Sequence, residues 1–365
     1  MRVLIIGRLD GYSNGVKAVE IQRYLQKRGH EVRLFDTSSL PRTPSGAGLA
    51  LRAVNIAWRF AISRSRVTRH NFSYHVLVGD YRLRRRILSS VLRLDDFDLV
   101  ICETAFDAGV LTVPTSARTL LDLPTPWADE MHFEGRLTRR QHRKLRRIEA
   151  GVWETVDFLA FWWETYAQYA VEHYGITGRN VITLNYGCTP ATKRAQFRDP
   201  PRIAYLGHLG MAAINLPQLS RLSKIYPHID VYGGPPPDPA LQLNYKGHAD
   251  PSVLADYQVG LITLTEDELP KSGFSAKHPQ YLAYGLPVLV PRSRRRLDLL
   301  KGSVPYEERT FLATLEALTD RREWTRLSDE AYGQAQQLEW DKTLRPLDEL
   351  VREASPRPER GGPVD

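Results

Sequence analysis

Short apolar runs alternate with helical segments along the whole chain, and the alternation starts twice. The first series opens with RVLIIG (Arg2 to Gly7), an apolar run closed by glycine, as a strand buried on both faces requires. RLDGYSNG follows as a loop. GVKAVEIQRYLQKRG then reads as a helix stopping at Gly29, and HEVRLFD as the next strand. Strand, helix and strand in this order predict a βαβ unit and a parallel sheet. FDLVICE (Phe97 to Glu103) and ARTLLDL (Ala117 to Leu123) read as further buried strands. The arginine-rich stretch from Leu49 to Arg93 has a helical pattern. TRRQHRKLRRIEAGVWETVDFLAFWWETYAQYAVEHYG gives a long basic helix, an apolar segment and a second helix, and NVITLNYG a strand.

After the Pro/Thr-rich CTPATKRAQFRDPP the pattern restarts. RIAYLGHLG is a strand and loop, LPQLSRLSKIYP a helix, IDVYGG a strand. NYKGHAD, PSVLADY and VGLITLT read as strand, helix and strand. SGFSAKHPQYLAYGLPVLVP carries a turn, a short helix and a strand. Thr310 to Glu353 is mostly helical, and SPRPERGGPVD is a polar tail expected to be disordered. With 365 residues the chain exceeds one ordinary core. The expected fold class is α/β, with two Rossmann-like doubly wound domains facing across a cleft. The expected boundaries are 1–188, a linker at 189–201, a second domain at 202–353 and a tail at 354–365. Open parallel sheets bind ligands beyond the carboxyl ends of their strands.

Charge is unevenly placed. Residues 1–150 hold 26 lysines and arginines against 15 acids, and the remainder 24 against 27. The first domain therefore carries the net positive field and is expected to meet an anionic partner. Only Cys102 and Cys188 are present, too few for a disulfide framework, which points to a reducing compartment. MRVLIIGRLDGY lacks the long apolar core of a secretory signal, and no window is long and apolar enough to span a bilayer. A cytoplasmic protein, peripheral at the inner membrane face, is the expectation.

Gly7, Gly11 and Gly15 are spaced four apart and do not fit the dinucleotide fingerprint; no P-loop is present. The Asp-x-Asp in DDFD precedes a strand, so it reads as a turn rather than a metal site, and no metal is expected. TLLDLPTPWADEMHF carries Asp122, Asp129, Glu130 and His132 after a core strand. A carboxylate there can take a proton from an acceptor hydroxyl, and Asp122 is the first candidate. The basic runs RLRRR and RLTRRQHRKLRR, with Arg52, Arg59, Arg64, Arg66 and Arg69, mix with Leu, Trp, Phe and Ile. Such a face suits an anionic membrane surface better than nucleic acid.

In SGFSAKHPQYLAYGLPVLVP, Pro279 fits a first helical turn and Gly285 a helix stop. Lys277 puts a cation at the helix start, where the dipole disfavours it, unless an anion such as a diphosphate lies between them. Gln280, one turn on, suits paired ribose hydroxyls.

These motifs resemble the GT-B glycosyltransferases over about residues 1–350. GVKAVEIQRYLQKRGHEVRLFD resembles their opening helix and strand. IAYLGHLG, VYGG, YKGHAD and SGFSAKHPQYLAYGLPVLVP resemble their donor half. Many retaining, GT4-like members carry two glutamates eight positions apart; Ser272 and Gln280 stand there instead. SAKHPQYLAYGLPVLVP is closer to exopolysaccharide transferases of the xanthan glucuronosyltransferase kind. In that comparison the family's catalytic aspartate falls near Thr125, and FDLVICETAF matches a strand ending in Glu103.

The resemblance implies a nucleotide-sugar donor, with no other cofactor, held by Gly207, His208, Gly233, Ser272, Gly273, Phe274, Ser275, Lys277 and Gln280. It implies an acceptor, a glycan or lipid-linked sugar, near Asn14, Gly15 and Glu103. The general base is then Asp122 or Asp129. The function expected is metal-independent transfer of a sugar to an acceptor hydroxyl. A sugar-nucleotide epimerase of the same fold and a non-catalytic member bound to membrane or nucleic acid are the alternatives.

Overall fold

The computed structural model describes residues 1–9, 13–38, 40, 69–176, 180–210, 213–267, 269, 275–293 and 300–354, with backbone only at 69–73, 76, 180 and 354. The chain divides into two compact units. The first comprises Met1–Trp162, Ala170–Leu184 and Leu344–Asp365; the second comprises Trp163–Tyr169 and Asn185–Thr343.

The first unit is built on six strands: β1 (Arg2–Gly7), β2 (Glu31–Asp36), β3 (Leu99–Cys102), β4 (Arg118–Leu123), β5 (Phe158–Phe161) and β6 (Asn180–Thr183). Their order is β2-β1-β3-β4-β5-β6, and every pairing is parallel. The side chains of β3 and β5, and of β1 and β4 after their first residues, are buried, which is why these runs are apolar apart from Thr119 and Asp122 of β4. Helices α1 (Ser13–Lys27), α2 (Arg69–Val91), α3 (Trp127–Phe133) and α4 (Arg139–Thr155) belong to this unit; α5 (Glu164–Tyr174), which follows β5, belongs to it only from Ala170 on. Helix α4 starts at a capping box. The Thr138 hydroxyl accepts from Gln141 N at 3.4 Å, and Gln141 Oε1 accepts from Thr138 N at 2.9 Å. Its buried stripe is Leu145, Glu149, Val152 and Trp153, spaced as a helix face demands, and its basic residues point outward. Buried Arg84 of α2 meets Asp107 at 2.5 Å and Thr37 O at 3.1 Å, which ties α2 to the loops after β2 and β3.

The second unit repeats the plan with β7 (Ile203–Leu206), β8 (Ile229–Tyr232), β9 (Asn244–Tyr245), β10 (Val259–Leu261), β11 (Val288–Pro291) and β12 (Ser303–Tyr306), in the order β12-β11-β10-β7-β8-β9, again all parallel. Its helices are α6 (Leu216–Ile225), α7 (Lys277–Ala283), α8 (Phe311–Ala317), α9 (Arg321–Gln337) and α10 (Trp340–Thr343). A single apolar core runs from Ile203 through Leu261 and Leu289 to Trp324 and Ala335.

Three features differ from the sequence expectation. The apolar segment inside 138–175 is a strand, β5. The short SVPY stretch is a strand, β12, at the sheet edge, the place that tolerates its proline. The last helix, α11 (Pro346–Ala354), belongs to the first unit rather than the second; Asp348 on it pairs with Arg28 of the α1 end at 2.7 Å.

Candidate functional site

Each sheet has one point where the chain order reverses. In the first unit β1 is followed by β2 on one side and β3 on the other. The crevice therefore opens past Gly7 and Cys102. Glu103 is the first residue beyond β3. Asn14, at the start of α1, donates its side-chain amide to Glu103 O at 2.7 Å. Gly15 lies so close to the preceding loop that a Cβ would stand 2.4 Å from Arg8 O, so only glycine fits. The three expected acceptor residues thus share one strand-end cluster.

Beneath them lies a closed ionic triad. Lys17 of α1, Asp122 of β4 and Glu103 are all fully buried. Lys17 Nζ pairs with Asp122 Oδ2 at 2.5 Å, donates to Leu184 O at 2.7 Å, and stands 5.2 Å from the centre of the Trp162 ring. Burial, then the Asp122 charge, pushes the Glu103 carboxyl well above the usual range. Burial pushes the Asp122 carboxyl up as well, while the Lys17 charge pulls it down. The sequence placed Asp122 in an open crevice; the structure shuts it in, because a lysine directed into the core needs a counter-charge there.

Asp129 is also turned inward. Its Oδ1 lies 2.5 Å from His142 Nε2 on α4, and the His132 ring stacks on His142 with centroids 4.6 Å apart. Beside it Glu149 accepts from Trp127 N at 2.6 Å, Ala128 N at 3.2 Å and the Tyr174 hydroxyl at 2.8 Å. Glu149 thereby caps α3, whose own cap residue, Pro126, offers no side-chain bond. Burial pushes the Glu149 carboxyl up to about 8. Glu130, the next residue of α3, takes a different course. Its side chain turns back to the loop after β4, where Thr125 Oγ1 donates to Oε2 at 2.8 Å.

In the second unit the order reverses between β7 and β10, past Leu206 and Leu261. Tyr281 of α7 closes this point: its hydroxyl accepts from Leu206 N at 2.8 Å and donates to Leu261 O at 3.3 Å. That anchor fixes α7 over the strand ends, and Lys277 opens the helix. The Lys277 ammonium donates to the Tyr205 hydroxyl at 3.0 Å and stands 4.7 Å from that ring centre. Its chain lies across Gly207, whose φ is +150°. A Cβ at Gly207 would fall 1.9 Å from Lys277 Cε. Gly233, just past β8, backs onto Gly207 from the other side, within 3.0 Å of its carbonyl for any added Cβ. A cation over two glycine backbones at a reversal point is a setting into which a phosphate can approach closely.

Of the other expected donor residues, His208 is exposed and accepts from Gly210 N through Nδ1 at 3.0 Å. Ser275 is half-buried just before α7, its carbonyl accepting from His278 N at 2.9 Å, and Gln280 lies one turn into the helix. Ser272, Gly273 and Phe274 lie outside the described residues, as do Arg52, Arg59, Arg64 and Arg66. Gly285 closes α7 with φ +72°.

Sequence reasoning missed Lys17, Tyr205 and Tyr281. Lys17 had a signal: it precedes Ile21 and Tyr24 by four and seven residues, on the stripe that α1 buries. Tyr205 and Tyr281 sit among apolar residues and had none. Among the described residues no cluster of three or more His, Cys, Asp or Glu could hold a metal ion, and no helix is long and apolar enough to cross a membrane.

No family model matches the chain, and no curated protein matches it. Solved structures do. A trehalose-phosphate synthase (UDP-forming) from Burkholderia vietnamiensis superposes with a TM-score of 0.60 at 13% identity, over 96% of this chain and 99% of that one. Anabaena HepE, solved with UDP and glucose, gives 0.58 at 12% identity, over 97% and 100%. The pneumococcal O-GlcNAc transferase GtfA, solved with UDP and GlcNAc, gives 0.53 at 16% identity, over 74% of this chain and 59% of that one. This chain spans about 60% of the GtfA-type chains it matches. The shared feature is the two-unit α/β fold of the GT-B glycosyltransferases, which this chain builds with one all-parallel six-stranded sheet in each unit.

Proposed function

We propose that this chain transfers a sugar from a nucleoside-diphosphate sugar to an acceptor hydroxyl. One observation carries the reading: Lys277 lies across Gly207 at the strand-order reversal of the second unit, held there by Tyr205 and by the Tyr281 anchor of α7. Fold likeness to enzymes solved with UDP supports it. In this reading Lys277 and the backbone around Gly207 and Gly233 meet the diphosphate as charge develops on it, in place of a metal ion. His208, Ser275 and Gln280, with Ser272, Gly273 and Phe274, line the rest of the donor. Asn14, Gly15 and Glu103 mark the acceptor end of the first unit. The absence of the paired glutamates at Ser272 and Gln280 favours the exopolysaccharide-type subgroup.

The acceptor in this reading is a glycan carried on lipid at an anionic, cytoplasmic membrane face. Support comes from α4, where Arg139, Arg140, Arg143, Lys144 and Arg147 are exposed and have no carboxylate partner among the described residues. Next to it lies a groove of about 410 Å³ between α2 and α4, edged by Arg82 and Arg85 and floored by Ile148 and Val152. Cations around an apolar floor match phosphate headgroups on acyl chains.

The test is turnover. The protein is incubated with UDP-, GDP-, dTDP- and CMP-sugars and a lipid extract, and free nucleotide is measured. Release from one donor class, raised by the extract, supports the reading. No release from any donor, with or without extract, removes it.

A further inference from the structure

We infer that Glu130 is the catalytic base that takes the proton of the acceptor hydroxyl; this rests on the glycosyl-transfer reading above. The argument is one of commitment. Of the carboxylates on β3, β4 and the segments that follow, all but one are spent inside the first unit. Glu103 is fully buried, and Asp122 is buried against Lys17. Asp107 is buried against Arg84, and Asp129 is buried against His142. Glu134 pairs with Arg136 at 2.8 Å. Glu130 and Glu134 are both partly exposed, but Glu130 has no ion-pair partner among the described residues; it meets only the Thr125 hydroxyl, through Oε2, which leaves Oε1 open.

Its position suits the task. Thr125 lies in the loop that leaves β4 at its carboxyl end, the end where parallel sheets take their ligands, and Glu130 lies in the first turn of α3, which follows that loop. The Thr125 hydroxyl fixes Oε2 and so aims the other oxygen. Burial raises the Glu130 carboxyl above the ordinary range, while the Thr125 bond pulls it down. A base of raised pKa accepts a proton more readily.

The step balances as a single displacement. The acceptor O–H gives its proton to Glu130, and its oxygen forms a bond to the anomeric carbon. The bond from that carbon to the diphosphate oxygen breaks, and the electron pair leaves on the nucleoside diphosphate. The anomeric configuration inverts.

The experiment compares wild type with Glu130→Gln, Glu130→Asp and Thr125→Val. It reads kcat, kcat/KM against pH, the anomer formed by NMR, and nucleoside-diphosphate binding by thermal shift. Glu130→Gln keeps the shape and the acceptor atom for Thr125, so it folds as the wild type does. The expected result is a kcat lower by roughly 10²- to 10⁴-fold with diphosphate binding unchanged. Glu130→Asp recovers part of the rate. Thr125→Val removes the bond that lowers the Glu130 pKa, so the acid limb of the pH profile moves to higher pH; a merely structural role would leave that limb in place. An inverted product is required. If the wild type turns over and Glu130→Gln matches it within about threefold, or if the product retains configuration, this assignment falls while the transfer reading stands. If the wild type transfers from no donor, both fall.

Discussion

Lys17 and Lys277 show how one residue type serves two ends of the same design. Lys277 stands at a strand-order reversal beside glycine backbone, where an anion can come; Lys17 is sealed in the core and answered by Asp122. Removing a member of a buried ion pair leaves an uncompensated charge, at a cost of about 3–5 kcal/mol. Lys17→Met is therefore expected to lower the melting temperature of the first unit sharply. Adding Asp122→Asn should restore part of the loss, because the stranded charge goes with it. Thermal unfolding of the three proteins checks this; a Lys17→Met protein as stable as wild type would show that the triad contributes nothing to the fold. The same contrast explains what could be read from sequence. Lys277 announced itself through Pro279, Gly285 and the glycines around it, all local signals. The burial of Asp122 depends on Lys17, more than a hundred residues away, and nothing near Asp122 reveals it.

Among the elements, α4 displays its design most openly. Its capping box, its buried stripe and its row of outward cations all follow from TRRQHRKLRRIEAGVWET, though the sequence reading took from it only a long basic helix. What α4 supplies to its neighbours was not legible: Glu149, in the middle of the buried stripe, caps α3 from below. Strands β5 and β12 escaped for physical reasons. Each is four residues long, β5 lies between two helical patterns, and β12 contains a proline that only an edge strand accommodates. The exposed cations of α4 make a prediction at this scale. Full-length protein should sediment with vesicles containing phosphatidylglycerol and not with phosphatidylcholine alone. Replacing Arg139, Arg143, Lys144 and Arg147 by Gln should abolish sedimentation without changing the melting temperature. Equal sedimentation of the variant would remove α4 as the contact. Each cation near an anionic surface contributes about 1 kcal/mol, so four together suffice to be seen.

For the molecule as a whole, the two sheets follow one rule. Each starts at a central strand, runs to one edge, returns, and continues on the other side. The double restart of apolar runs at Arg2 and Ile203 carried that plan in plain view, and fold neighbours at 12–13% identity preserve it where sequence does not. The boundary was harder to see, because α11 leaves no local mark of the unit it joins; its packing and its pairing with Arg28 show that.

The central claim is that the second unit holds a nucleoside diphosphate through Lys277. Calorimetric titration of UDP, GDP and dTDP into wild type and Lys277→Ala tests it directly. One of the three should bind the wild type saturably. Loss of a charged hydrogen bond worth about 1.5–3 kcal/mol should weaken that binding roughly tenfold to hundredfold in the variant. A wild type that binds none of them, or a variant that binds as tightly, would contradict the account.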